Sequence, residues 1–230
     1  MRTVAVIGAL EEEVAHIAAA LERVRHDRFA SLDVSYGTVG AKAGDDVAVA
    51  ATVGGMGLVN AAATTQAMID AYHPDAVIFS GIAGSLNPRL HINDVVLGRT
   101  LRYLDSDMQL IGQWKPRTEE FHGDAHLLAV ADAALDEMGI THIQGTIASG
   151  NHFVDTPEKI DRVRAQTGAD AVEMEGAAVA HVAARNDVPS LIIRALSDNA
   201  DTDYEIFKEF DISDYADTAA RLAVAIVTRL

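Results

Sequence analysis

Four carboxylates and one guanidinium carry the chemistry that this sequence can offer. Three of the carboxylates fall between Asp170 and Asp198, which reads Val172-Glu173-Met174-Glu175, then the small-residue run Gly176-Ala177-Ala178-Val179-Ala180, then Ser190-Leu191-Ile192-Ile193-Arg194-Ala195-Leu196-Ser197-Asp198. Paired acids of this kind suit general acid and base work on one substrate. Leu191-Ile192-Ile193 follows Pro189 and predicts a strand buried on both faces, as in a parallel sheet. Arg194 and Asp198 then stand near its carboxyl end, where open α/β sheets bind ligands. A structural alternative stands beside this one: Glu173 and Glu175 as solvated charges at a helix N-terminus, Arg194 as a partner for one of them, and Asp198 as an N-cap.

The elements that must position these groups follow from periodicity. Thr3 to Ile7 predicts a strand, Gly8-Ala9 a turn, and Leu10, Val14, Ile17, Ala18 and Leu21 have helical spacing. Glu11, Glu12 and Glu13 fill the first turn of that helix, where the dipole favours acids. One of the three can do more, because a helix after the first strand presents its first turn at the carboxyl edge where Asp198 lies. Val34–Val39 and Val47–Val53 read as strands, Gly54-Gly55-Met56-Gly57 as a loop, and Leu58 to Ala71 as a helix. The glycine cluster has neither the dinucleotide fingerprint nor a P-loop lysine. Pro74 to Gly81 predicts a buried strand ending in the loop Gly81-Ile82-Ala83-Gly84-Ser85, and Asp94 to Tyr103 a further strand.

Leu104 to Gly123 holds Trp114 and has no clear period, as expected of a loop or lid. His122 and His126 are four apart and would share a face on a helix, but without a third ligand or the zinc motif's glutamate they read as solvated histidines, and no metal or cofactor is expected. Asp124–Met138 predicts a helix, Ile140–Ala148 a strand, Ser149–Val154 a loop, Pro157–Thr167 a helix with Pro in its first turn, and Ile212–Arg229 the closing amphipathic helix. Alternating strands and helices argue for an α/β sandwich with a mixed central sheet. The loops carrying Glu13, Met56, Ile82, Phe153 and Glu175 should then converge with Asp198.

Composition narrows the partners. The 230 residues, with no linker-like stretch, fit one domain over 1–230. Hydrophobic residues are 49% and aromatics only 5%, so Ala, Val, Ile and Leu must build the core. A formal charge of −16 repels phosphate backbones and anionic lipid, which argues against nucleic acid and membrane as partners. With no cysteine, thiolate chemistry is excluded. Met1 to Gly8 lacks the apolar core of a signal peptide, and no apolar run approaches the ~20 residues that span a bilayer, so a soluble cytoplasmic protein is expected.

Several motifs together resemble one family, the 5′-methylthioadenosine/S-adenosylhomocysteine nucleosidases of the nucleoside phosphorylase superfamily. The matching pieces are Ile7-Gly8-Ala9-Leu10-Glu11-Glu12-Glu13-Val14, Gly55-Met56-Gly57, Ser149-Gly150 with Phe153-Val154, Val172-Glu173-Met174-Glu175, and Arg194-Ala195-Leu196-Ser197-Asp198. The resemblance implies a nucleoside phosphorylase-like three-layer α/β/α sandwich with a mixed central β-sheet, hydrolysis of an adenine N-glycosidic bond, and a homodimer. By similarity, Asp198 would protonate N7 of adenine and Glu13 would position and deprotonate the attacking water. Glu175 would accept hydrogen bonds from the ribose hydroxyls, with Arg194 orienting that end. Met174 would pack on the ribose, Phe153 would stack on the base and the Val154 backbone would read its edge. Leu10, Met56, Ile82, Glu173 and Ser197 complete the implied substrate-binding set. An aspartic acid, ordinarily ionised above pH ~3.9, needs desolvation or a neighbouring donor to serve as the acid.

The sequence departs from the family pattern at Ile82, where a small hydroxylated residue is usual, and at Leu104, where histidine is typical. Segments 104–123 and 201–214, implied to shape the 5′ pocket, the dimer contact and a closing flap, also diverge. Three other readings compete. A phosphorolytic relative needs donors for phosphate, which Glu13 would repel; a nucleoside-binding protein would have lost turnover; a flavodoxin-like module leaves the carboxylates unexplained.

Overall fold

In the computed structural model, residues 2–42, 45–198 and 213–230 are described, with 213–216 as backbone alone. The implied flap at 201–214 therefore lies almost wholly outside the described residues. In chain order the elements are β1 (Thr3–Gly8), α1 (Glu11–Ala19), β2 (Glu22–Phe29), β3 (Leu32–Val39), β4 (Val47–Val53), α2 (Leu58–Tyr72), β5 (Ala76–Ser85), β6 (Val95–Tyr103), α3 (Met108–Ile111), β7 (Phe121–His122), α4 (Ala125–Met138), β8 (His142–Ser149), α5 (Pro157–Thr167), β9 (Ala171–Glu173), α6 (Gly176–Arg185), β10 (Ser190–Asp198) and α7 (Ser213–Val227).

All the strands join one mixed sheet. Strands β2-β3-β4-β1-β5 lie side by side, with β1 parallel to β4 and β5. Beyond β5 the sheet closes on itself, because β5 pairs with both β10 and β9 while β6 and β8 bridge those two. The mixed α/β class is as the sequence predicts.

Alternation along the central strands makes two cores. Val4 and Val6 of β1, Ile78 of β5 and Leu191 and Ile193 of β10 face α1, α4 and α7. Ala5 and Ile7, Val77 and Phe79, and Ile192 and Leu196 face α2 and α6 on the other side. Period-two alternation is the pleat itself, and burial on both faces explains why these strands read as continuous apolar runs. Small residues let the helices approach: a β-carbon on Gly176 would fall 2.9 Å from Ile192 Cγ2.

Two expectations need correction, and one strand had no sequence signal. The glycine-rich Gly81–Ser85 segment is the second half of β5, because β10 and β9 supply ladder partners on both sides. The charged Glu22–Phe29 segment forms β2, an edge strand whose partner among the described residues is β3. His122 lies on β7 while Asp124 caps α4 by accepting the N–H groups of His126 and Leu127, so the two histidines do not share a helix. Among the described residues no cluster suits a metal, and no helix is long and apolar enough to cross a membrane. Within 104–123 are α3 and β7, and Leu104 extends the β6–β8 ladder by donating its N–H to Ser149 O at 2.9 Å.

Candidate active site

Parallel pairing places the ends of β1, β4, β5 and β10 at one edge, the ends of β8 and β9 reach it from strands antiparallel to β5, and the loops there surround a cavity of about 330 Å³. Glu13, Leu10, Met56, Ile82, Phe153, Val154, Glu173, Met174, Glu175, Ser197 and Asp198 all line it. Arg194 lies behind this lining, fully buried. Ala9, Ala83, Gly84, Asn151, His152 and Val172 also contribute to the wall, and sequence reasoning missed them. Among the described residues no lysine or arginine lines the cavity.

Glu13 separates from its two acidic neighbours by burial: Glu11 and Glu12 are exposed, while Glu13 is 3% accessible. It is the third residue of α1, and its carboxylate turns back on the helix start as half of a capping box. Oε2 accepts the N–H groups of Ala9 (2.6 Å) and Leu10 (3.0 Å), and Oε1 accepts that of Ile82 (3.1 Å). Burial pushes its pKa up against the lowering effect of Arg194 and these three donors. A carboxylate raised in this way, yet held by fixed donors, suits a general base.

The pair Glu173 and Glu175, two residues apart, does two different jobs. Glu173 ends β9 with both oxygens occupied inside the protein: Oε1 accepts the Ser149 hydroxyl, and Oε2 accepts the N–H groups of Glu175 (3.1 Å) and Gly176 (2.7 Å) and the Arg194 guanidinium. Ser149 Oγ in turn accepts the Ala177 N–H at 2.8 Å. Glu173 thus knots β8, α6 and β10 together. Glu175, at the N-cap of α6, accepts the Gly57 N–H at 2.8 Å and stands 3.5 Å from Arg194. Gly57 needs its φ of 95°, where a side chain would be strained, to offer that N–H. Burial first, then the neighbouring Glu173 charge, push the Glu175 carboxyl up to about 7.

Arg194 serves all three acids. Burial works against its charge, but Glu173, Glu175 and Glu13 outweigh that and hold its pKa up. Its guanidinium carbon sits 4.5 Å over the Phe79 ring, and Nη1 is buried with no hydrogen-bond partner among the described residues. At the far side of the cavity the Ser197 hydroxyl lies 2.8 Å from Asp198 Oδ2. Asn151 Oδ1 accepts the Leu58 N–H (3.0 Å), which ties the β8–α5 loop to the start of α2 beside Met56.

The family model of the phosphorylase superfamily matches residues 3–229. The chain belongs to this superfamily, in the family of the 5′-methylthioadenosine/S-adenosylhomocysteine nucleosidases. The Bacillus subtilis protein of that name is 34% identical over 98% of both chains. The Neisseria meningitidis nucleosidase, solved in complex with methylthio-immucillin-A, superposes with a TM-score of 0.90 at 34% identity over the whole of both chains. Futalosine hydrolase of Helicobacter pylori is also similar, with a TM-score of 0.86 and 30% identity, covering 100% of this chain and 98% of its own. The superfamily's nucleosidases are N-glycosyl hydrolases, and this chain is an enzyme of that class.

Proposed function

We propose that the protein hydrolyses the N-glycosidic bond of 5′-methylthioadenosine, S-adenosylhomocysteine or both, releasing adenine. One observation carries this reading: Glu13 and Asp198 line the same cavity, with Glu175 and an apolar wall beside them and no lysine or arginine among the described lining residues. Breaking C1′–N9 sends the bonding pair to adenine, which Asp198 neutralises by protonating N7. Water attacks the oxocarbenium-like C1′ and gives its proton to Glu13, in the manner of paired-carboxylate glycosidases. Glu175 accepts the ribose hydroxyls, Met174 packs on the sugar, Phe153 stacks on the base and the Val154 backbone reads its edge. Leu10, Met56 and Ile82 shape the remaining wall. Arg194 holds the Glu175 carboxylate that binds the ribose, and partly offsets the cost of burying Glu13. Glu173 orders Arg194 and α6 from inside the protein.

The acidic lining also supports hydrolysis over phosphorolysis, since Glu13, Glu173, Glu175 and Asp198 would repel inorganic phosphate and no lysine or arginine among the described lining residues would offset them. The enzyme acts in methionine salvage and the methyl cycle, as a homodimer; exposed Val59, Leu110 and Trp114 are apolar surface suited to such a contact. Adenine release from methylthioadenosine, S-adenosylhomocysteine and 5′-deoxyadenosine, followed with and without phosphate, tests the reading. Release that ignores phosphate supports it. No release from any of the three, or release only with phosphate, refutes it.

A further inference from the structure

Gly81 stands where the two strands of the site meet their charges. It pairs with Arg194 across the parallel β5–β10 ladder, and the next residue, Ile82, donates its N–H to Glu13 Oε1. Phe79, two residues earlier on the same face, lies under the guanidinium. A β-carbon at Gly81 would overlap Glu13 Oε1, fall 2.8 Å from Glu13 Cδ and 2.6 Å from Arg194 Nη1. Its φ lies outside the left-handed region, so the backbone does not demand glycine here. The space does.

We infer that Gly81 is a positioning residue for hydrolysis: its missing side chain leaves the gap across which the Glu13 carboxylate and the Arg194 guanidinium face one another. This inference rests on the role proposed for Glu13. The atoms that a methyl group would strike are the ends of two side chains rather than backbone, so the fold can accept alanine by moving them. Neither can move without loss. Glu13 would leave the N–H groups of Ala9, Leu10 and Ile82 that aim it, and Arg194 would strain its bonds to Glu173. A displacement of about 1 Å in a reacting group costs about 100-fold in rate.

The test is a cycle of Gly81→Ala, Glu13→Asp and the double variant, read by kcat and KM for adenine release, by the pH profile of kcat/KM and by melting temperature. Gly81→Ala is expected to fold, to lose about 100-fold in kcat with KM changed far less, and to move the acidic limb of kcat/KM to higher pH. The limb moves because Arg194, which lowers the Glu13 pKa, has been pushed away. The other ionisable groups that line the cavity with Glu13, among the described residues, are Glu173 and Glu175 at the β9–α6 junction, Asp198 and His152, and none of the three atoms nearest the added β-carbon belongs to them. Glu13→Asp withdraws the carboxylate by one methylene, so in the double variant the loss from alanine shrinks by about 10-fold or more. Gly81→Ala activity within about threefold of wild type, or an equal alanine effect in both backgrounds, overturns the inference.

Stability gives an arm independent of turnover. Glu13→Ala removes the struck carboxylate, so Gly81→Ala must lower the melting temperature less in that background than in the wild type. Equal lowering overturns the inference even where Gly81→Ala alone does not fold, since Glu13→Ala and its double variant are then compared. A wild type that releases no adenine refutes the nucleosidase reading instead, and the stability arm still judges Gly81.

Discussion

Replacing Glu173 by glutamine keeps its shape and removes one charge from the buried knot at the end of β9. Glutamine's oxygen can still accept the N–H groups of Glu175 and Gly176, and its amide can donate to Ser149 Oγ. Arg194, 1% accessible, then has only Glu175 at 3.5 Å, and more distant Glu13, to balance it. Removing one partner of a buried ion pair costs about 3–5 kcal/mol, and the remaining Glu175 argues for the lower end, about 3 kcal/mol. For a chain of this length each kcal/mol moves the melting temperature by about 2–4 °C, so Glu173→Gln should melt about 6–12 °C below wild type. Differential scanning calorimetry at pH 8 measures this. A shift under about 2 °C would mean that Glu173 is an ordinary pocket carboxylate turned towards substrate, and that the division of labour between Glu173 and Glu175 is mistaken.

Two further expectations concern neighbouring groups. The folded pKa of Glu175, about 7, exceeds the ordinary unfolded value near ~4.3, so folding takes up a proton between those values and stability falls as pH rises from about 4.3 to 7. A gap of that size corresponds to about 4 kcal/mol, all of it lost above pH 7. Glu175→Gln should therefore show a flatter melting temperature between pH 5 and 8 than wild type, and equal slopes would refute the assignment. Asn151→Ala removes the acceptor for the Leu58 N–H, so it should cost about 1 kcal/mol of stability, as lost helix caps do, and raise KM through the Met56 loop. Unchanged KM would show that the loop is held by other contacts.

The parts of this fold that were legible are those where local pattern and tertiary burial agree. Leu191-Ile192-Ile193 is continuous because both faces of β10 are covered, and Pro157 opens α5 with Thr156 as its cap. Edge strand β2 was invisible because Glu22–Phe29 is mostly exposed and leaves no apolar alternation to read. Gly81–Ser85 has the composition of a loop, and only pairing with β9 and β10, more than eighty residues later, makes it a strand. At the site, acids announce themselves by type, and Glu13, Glu173, Glu175 and Asp198 do line the cavity. The inward role of Glu173 was not legible, because Glu173 and Glu175 differ only in what surrounds them. Ser149 and Asn151 are single neutral residues that matter through partners distant in sequence, Glu173 and Leu58. The departure at Ile82 replaces a hydroxyl but keeps the backbone N–H, which is the part that holds Glu13.

The central claim is that Asp198 protonates the departing adenine. Single-turnover adenine release from methylthioadenosine by wild type and Asp198→Asn, with substrate binding followed in parallel by thermal shift, tests it most directly. The account predicts that the variant still gains stability from substrate while release falls at least about 100-fold, the lower bound for a general acid. An Asp198→Asn enzyme that releases adenine within tenfold of the wild-type rate would contradict it.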